Sequence, residues 1–117
     1  MVFTMLTREL SPDITAYSFT GSMVLGNRLS SVEHIVRERI KRGARKVLLD
    51  FSELDLIDSA GIRVLAGWFG SVQREGGKIA VAGATGRVKQ LLEMVPVHHL
   101  IGTYPDLPSA LRALSEG

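Results

Sequence analysis

The residues best placed to do chemistry are Asp58, Ser59, Ala60 and Gly61, which follow one another at a single junction. The apolar run 46–51 predicts a buried strand before them, and apolar residues at helical spacing predict a helix after them. A helix N-terminus offers unpaired N–H groups and the positive end of its dipole to an anion. A carboxylate and a hydroxyl at this place therefore indicate either helix capping or a serine suited to carry a phosphate group.

The elements around this junction alternate between strand and helix. Residues 4–10 and 14–20 predict two strands joined by a turn at Ser11-Pro12-Asp13, and Gly21 is expected to end the second strand. The later predicted elements are a helix over 25–42 capped by Asn27 or Ser30, the strand over 46–51, a helix to Arg74, a strand over 78–82, a helix from Thr85 to Pro96, a short strand over 100–104 and a C-terminal helix. Strands separated by helices imply a parallel core, to which the hairpin adds antiparallel pairing. The sequence therefore predicts one α/β domain over residues 1–117, with a mixed sheet of about five strands and about four helices.

Composition narrows the class of protein. The chain has 117 residues, of which 45% are hydrophobic, and no apolar run approaches the roughly 18 residues of a membrane span. It contains no cysteine, which excludes disulfides and thiolate metal sites. Its N-terminal residues do not resemble a secretory signal, so a cytoplasmic location is expected. A net charge of only +2 argues against direct nucleic-acid binding.

Catalytic and metal-binding alternatives find little support in the sequence. The adjacent pair His98-His99 does not converge easily on one metal, and His34 is expected to lie exposed on a helix. A Ser-His-Asp hydrolase would need a Gly-x-Ser-x-Gly motif, and no phosphate-binding loop is present to hold ATP. We therefore expect a protein that is not an enzyme and needs neither a cofactor nor a metal.

For two groups of apolar residues, the sequence leaves open which side chains are buried and which are exposed. Met23, Val24 and Leu25 could form an exposed patch for a partner or the first core turn of a helix. Trp68 and Phe69 are adjacent in the second helix, so one of them is expected to be partly exposed. An exposed hairpin edge or helix face could pair two copies of the chain, and a homodimer therefore stays open.

The order of elements around the stretch Ile57-Asp58-Ser59-Ala60-Gly61-Ile62 resembles the STAS domain, and in particular the bacterial anti-sigma factor antagonists. The resemblance spans nearly the whole chain and includes Gly21, the helix that follows it, and the Gly76-Gly77 turn before the fourth strand. It implies a STAS-like α/β fold. The Asp-Ser-x-Gly junction is its most specific element, because it falls between the third strand and the second helix.

The resemblance also implies a function. In that family the serine matching Ser59 is phosphorylated by a serine-kinase anti-sigma factor, which binds the unphosphorylated antagonist and releases the phosphorylated one. A separate serine phosphatase resets the cycle. Carried over here, Ser59 is the phosphate acceptor, Asp58 is its neighbouring carboxylate, and Gly61 keeps the approach to the helix end open. Ala60, Gly21 and Asn27 complete the expected switch surface.

One departure from the family pattern bears on this expectation. Members with this cycle often carry acidic residues after the second strand, where this chain has Ser22 and Val24, and Asn27 is the nearest polar substitute. The departure favours an alternative in which the domain is a STAS scaffold within a signalling or transport assembly and is not phosphorylated. From residues alone, Ser59 could also be a simple helix cap, and Asp58 a carboxylate near the helix start that interacts favourably with the dipole.

Overall fold

The predicted α/β architecture is confirmed by a computed structural model, which describes residues 2–95 and 101–116. In chain order the elements of these residues are β1 (Phe3–Ser11), β2 (Ile14–Met23), α1 (Leu29–Lys41), β3 (Lys46–Ile57), α2 (Ser59–Arg74), β4 (Lys78–Ala82), α3 (Gly86–Glu93), β5 (Gly102–Tyr104) and α4 (Leu107–Ser115). The expectations for Pro96, His98-His99 and Leu100 concern positions outside the described residues. None of the helices in the described part is both long and apolar enough to cross a bilayer.

The strands form one mixed sheet in the order β1-β2-β3-β4-β5. β1 is antiparallel to β2, and each of the next three pairs is parallel, as predicted from the alternation of strands and helices. The hairpin turn is fixed locally, because the Ser11 hydroxyl donates to Asp13 Oδ1 at 2.8 Å. The parallel arrangement brings the carboxyl ends of β2 and β3 to the same edge of the sheet.

The two faces of the sheet are covered unequally. Helices α1, α2 and α3 pack on one face over the larger apolar cluster, and α4 packs on the other face over a smaller one. Trp68 and Phe69 are both buried, so the expectation that one is partly exposed is wrong. The reason is that α2 contacts both the sheet and α1: Trp68 Nε1 donates to the Glu33 carbonyl of α1 at 3.3 Å.

Helix α1 begins later than predicted. Residues 24–28 form a loop instead of the first turn, because Gly26 has φ +80° and Arg28 has φ +64°. Arg28 occupies the cap position without a capping side-chain bond, so neither Asn27 nor Ser30 caps the helix. Thr85 stands at the cap position of α3, yet its side chain makes no capping bond either.

Strands β2 and β3 both extend beyond their predicted ends. β3 continues to Ile57 although Ser52, Glu53 and Asp55 are exposed in its second half. β2 continues through Gly21 to Met23, which pairs with Ile57. Gly21 is therefore an interior strand residue and does not end the strand. These extensions carry the β2–α1 loop up to the start of α2.

Candidate functional site

The candidate site lies where β3 ends and α2 begins, beside the loop that follows β2. Met23 and Ile57 are the last paired residues of the two strands, and Ser59 starts α2 two residues later. The loop 24–28 therefore faces the first turn of α2. The carboxyl edge of parallel strands is the usual place for binding sites in open α/β sheets.

Asp58 is the N-cap of α2 and joins the helix to the loop. Its Oδ1 accepts a hydrogen bond from the Gly61 backbone N–H at 2.9 Å, which is the usual capping bond. Its Oδ2 accepts from the Leu25 N–H at 3.0 Å, across a separation of 33 residues in the sequence. One carboxylate thus satisfies donors on two separate elements.

These bonds set the charge state of Asp58. Partial burial of the carboxylate raises its pKa, but the backbone N–H groups of Leu25, Gly61, Ala60 and Asp58 lower it by more. The pKa therefore lies below its ordinary value of 3.8. Asp58 is a fixed negative charge at neutral pH, and its predicted place near the helix dipole is confirmed.

Ser59 occupies the first helical position, directly after the cap. Its side chain is exposed, and it makes no hydrogen bond with any residue in 2–95 or 101–116. The interpretation of Ser59 as the helix cap is therefore wrong, because Asp58 is the N-cap residue of α2. The hydroxyl remains accessible at the positive end of a helix of 16 residues.

Gly61 is buried, and its role is close packing. A Cβ at this position would overlap the Met23 carbonyl oxygen and lie 2.7 Å from Ile57 Cγ1. Only glycine lets α2 approach the ends of β2 and β3 this closely. The expected role of Gly61 in keeping the approach to the helix end open stays a prediction beside this observed packing.

Gly21 and Asn27 shape the neighbouring part of the chain, and in the described residues neither makes a side-chain hydrogen bond with Ser59. Gly21 is buried with φ +94°, and a Cβ there would overlap the carbonyl oxygen of Val2, the residue just before β1. Asn27 is half-buried, and its Nδ2 donates to the Ser22 carbonyl at 2.9 Å, which closes the loop on itself. Both residues support the geometry in which Leu25 reaches Asp58.

A shallow groove of about 200 Å³ runs between the start of α1 and the first turns of α2. Among its lining residues are Leu25, Glu33, half-buried Ala60 and Arg63. Met23 and Val24 are buried and Leu25 is 78% exposed, so only Leu25 fits the predicted exposed patch; none of the three forms a first helical turn, because α1 begins at Leu29. Residue-by-residue reasoning did not single out Arg63, although its position four residues after Ser59 is visible in the sequence.

Comparison with known proteins places the whole fold in one family. The model of the STAS domain matches residues 6–110. An anti-sigma factor antagonist from Mycobacterium paratuberculosis is 19% identical, with a TM-score of 0.84 over 97% of this chain and 95% of that one. A STAS domain protein from Planctomyces limnophilus, an anti-sigma-factor antagonist, is 15% identical, with a TM-score of 0.81 over 94% and 96%.

The Bacillus cell fate determinant SpoIIAA in its phosphorylated form is also similar, at 11% identity and a TM-score of 0.75 over 94% of this chain and 99% of that one. At these identities the structural likenesses establish the fold, and the match to the family model covers most of the chain. The chain therefore belongs to the STAS domain family.

Proposed function

We propose that this chain is an anti-sigma factor antagonist that binds a serine-kinase anti-sigma factor while Ser59 is unmodified. Phosphorylation of Ser59 by that kinase releases the antagonist, and a separate serine phosphatase restores it. The chain thereby regulates transcription from the cytoplasm without contacting DNA. Support comes from the STAS family match and from similar structures that are themselves described as anti-sigma factor antagonists.

The observation that carries the proposal is the division of labour between Asp58 and Ser59. Asp58 caps α2 and binds the loop, so the fold does not need the Ser59 hydroxyl. Ser59 is exposed at the positive end of α2, where a phosphate group meets a favourable dipole. Modification of Ser59 therefore changes the surface while leaving the structural bonds in place.

The switch itself follows from charge and size. A phosphate group adds a charge of about −1.5 to −2 and several strong hydrogen-bond acceptors. On the free antagonist it stays in water, whereas against a docked partner it brings repulsion and desolvation. A conflict of about 1.4 kcal/mol already weakens binding tenfold. The chain supplies no catalysis in this cycle, and ATP is bound by the kinase.

A second candidate function keeps the fold but removes the phosphorylation. The positions that are often acidic in the family carry Ser22, whose carbonyl binds Asn27, and the buried Val24. No carboxylate from this stretch is available to assist transfer of a phosphate group. This observation favours a STAS scaffold that binds its partner constantly.

Phosphate mapping separates the two functions. The protein is incubated with ATP and its cognate kinase, and the modified residue is located by mass spectrometry. We expect one phosphate on Ser59, lost in Ser59→Ala and kept in Ser31→Ala, a matched control at an exposed serine on α1. If a kinase shown to be active on another substrate leaves Ser59 unmodified, the switch is excluded and the scaffold function replaces it.

A further inference from the structure

Arg63 lies four residues after Ser59 in α2, and both side chains are exposed. Residues at this spacing are neighbours on a helix surface, about 5–6 Å apart at their Cβ atoms. Arginine side chains reach across such a gap with a planar set of donors that matches phosphate oxygens. An anion placed N-terminal to a cation is also the more favourable order on a helix.

The guanidinium group of Arg63 is not committed elsewhere. It forms no ion pair with any residue that the structure describes, a statement that covers positions 2–95 and 101–116. Glu33 lines the same groove, but its carboxylate lies 3.5 Å from Arg37 Nε. The Asp58 carboxylate is bound by the N–H groups of Leu25 and Gly61. The two nearby acids therefore have partners of their own.

We propose that Arg63 is the intramolecular counter-charge of phosphorylated Ser59, a role that rests on the proposed modification of that serine. The guanidinium group binds the phosphate oxygens across one turn of α2. The segment 21–28 contains no acidic residue and one cation, Arg28, so no carboxylate of that loop competes for the guanidinium group. Arg63 is a positioning residue here, since it fixes the phosphate group on the helix surface.

The pairing gives phosphorylation a second effect on the groove. In the unmodified protein Arg63 presents a free positive charge beside Leu25 and Ala60. In the phosphorylated protein that charge turns toward Ser59 and is neutralised. For a partner that binds the groove, phosphorylation therefore changes two charges at once. The Arg63 cation is no longer free, and an anion is added at Ser59. Together these changes lower the affinity by more than either does alone.

The test uses protein in which phosphoserine is inserted at position 59 during translation. The phosphate pKa is measured by ³¹P NMR in otherwise unchanged protein and in Arg63→Gln, Arg63→Lys and Arg8→Gln. Arg8 is an exposed cation on β1, so Arg8→Gln controls for the change in net charge. We expect Arg63→Gln to raise the phosphate pKa by about 0.3–0.5 pH unit, the shift that a charge-assisted pair at this spacing implies.

The other variants complete the expected pattern. Arg63→Lys retains part of the effect because it keeps the charge and loses the planar donors. Arg8→Gln leaves the phosphate pKa unchanged because screening removes distant charges. A double-mutant cycle between Ser59 modification and Arg63→Gln in urea unfolding gives the same coupling without a titration.

Two results would overturn the pairing: a phosphate pKa equal in Arg63→Gln and Arg8→Gln, or no coupling in the cycle. Because the phosphoserine is inserted without a kinase, these results are independent of whether any kinase modifies Ser59. An unlabelled Ser59 in the kinase experiment would instead remove the proposed switch and leave the measured pairing intact.

Discussion

Helices α2 and α4 both begin with an aspartate cap, but the two caps have different surroundings. Asp58 and Asp106 each precede their helix and accept the backbone N–H three residues later at 2.9 Å. In α4 the next residues are Leu107 and Pro108, and the cap serves its own helix. In α2 the next residue is the exposed Ser59, and the cap carboxylate also binds the Leu25 N–H on another element.

The difference shows how a common capping motif becomes a candidate switch. The N–H that Asp58 caps belongs to Gly61, packed against the Met23 carbonyl, whereas the one that Asp106 caps belongs to half-buried Ser109. At α2 the cap and the close packing therefore rest on Asp58 and Gly61, and the Ser59 side chain makes no hydrogen bond in the described part of the chain. At α4 no such residue is freed, because leucine and proline fill the first turn.

Among the changes at the two helix starts, Gly61→Ala in α2 should lower the free energy of unfolding most. The added Cβ overlaps the Met23 carbonyl and crowds Ile57, so we expect the free energy of unfolding to fall by about 2–3 kcal/mol. Ser109→Ala removes no packing of this kind and should change it far less. Urea unfolding measures both.

Gly67→Ala is the matched control within α2. A Cβ at Gly67 meets nothing within 4 Å, so alanine there should stabilise the helix by about 0.5–1 kcal/mol. A Gly61→Ala protein as stable as the parent would contradict the close packing of α2 against the strand ends.

Asp58→Ala is expected to lower the free energy of unfolding by more than Asp106→Ala does. Loss of a helix cap costs about 1 kcal/mol, which is the whole expected effect at Asp106. At Asp58 the Leu25 N–H also loses its acceptor, and a second hydrogen bond of this kind adds about 1 kcal/mol. Equal losses in the two variants, measured by urea unfolding, would mean that the bond to the loop contributes nothing.

Acid should weaken the fold through Asp58. Partial burial alone would raise the pKa of Asp58, but backbone N–H groups lower it below 3.8, so the folded state favours the ionised form. The ionised Asp58 therefore adds to the free energy of unfolding. This stabilisation is fully present above the pKa of Asp58 in the unfolded state, and it is lost as the pH falls through the lower pKa of the folded state. Asp58→Asn should therefore lose less stability between about pH 6 and about pH 3 than the parent does. Parallel curves for the two proteins would show that Asp58 has no lowered pKa.

Ser59→Ala should have the smallest effect on stability. Ser59 is exposed and is not the cap, so the free energy of unfolding should change by no more than about 0.5 kcal/mol. Thermal unfolding of this variant beside Asp58→Ala checks the division of labour directly. A loss as large as that of Asp58→Ala would return Ser59 to a structural role.

The sequence was sufficient for the order of elements and for the helix start at Asp58-Ser59. Alternating strands and amphipathic helices imply the mixed sheet, because each pattern has its own period. The end of β3 was missed, since its second half exposes Ser52, Glu53 and Asp55 and lacks an apolar run. A local sequence pattern indicates only which residues are buried. The end of β3 depends instead on the pairing of Ile57 with Met23, which lies far away in the sequence.

The bonds within the site could not be predicted for the same reason. Leu25 was expected in a helix, but its N–H binds a carboxylate 33 residues away, and that contact depends on the complete sheet. Trp68 and Phe69 are both buried because α2 contacts both α1 and the sheet, which no single-helix pattern reveals. The cap itself was also missed: serine and aspartate are both good N-cap residues, and the structure shows that Asp58, one residue before Ser59, accepts the Gly61 N–H.

The proposed switch is tested most directly by the affinity of the proposed kinase partner for two forms of this protein. Calorimetry measures the Kd of the unmodified chain and of the chain with phosphoserine inserted at position 59. We predict at least tenfold weaker binding of the phosphorylated form, which corresponds to about 1.4 kcal/mol or more. Equal affinities, with both forms folded and the kinase active, would contradict the claim that Ser59 is the switch.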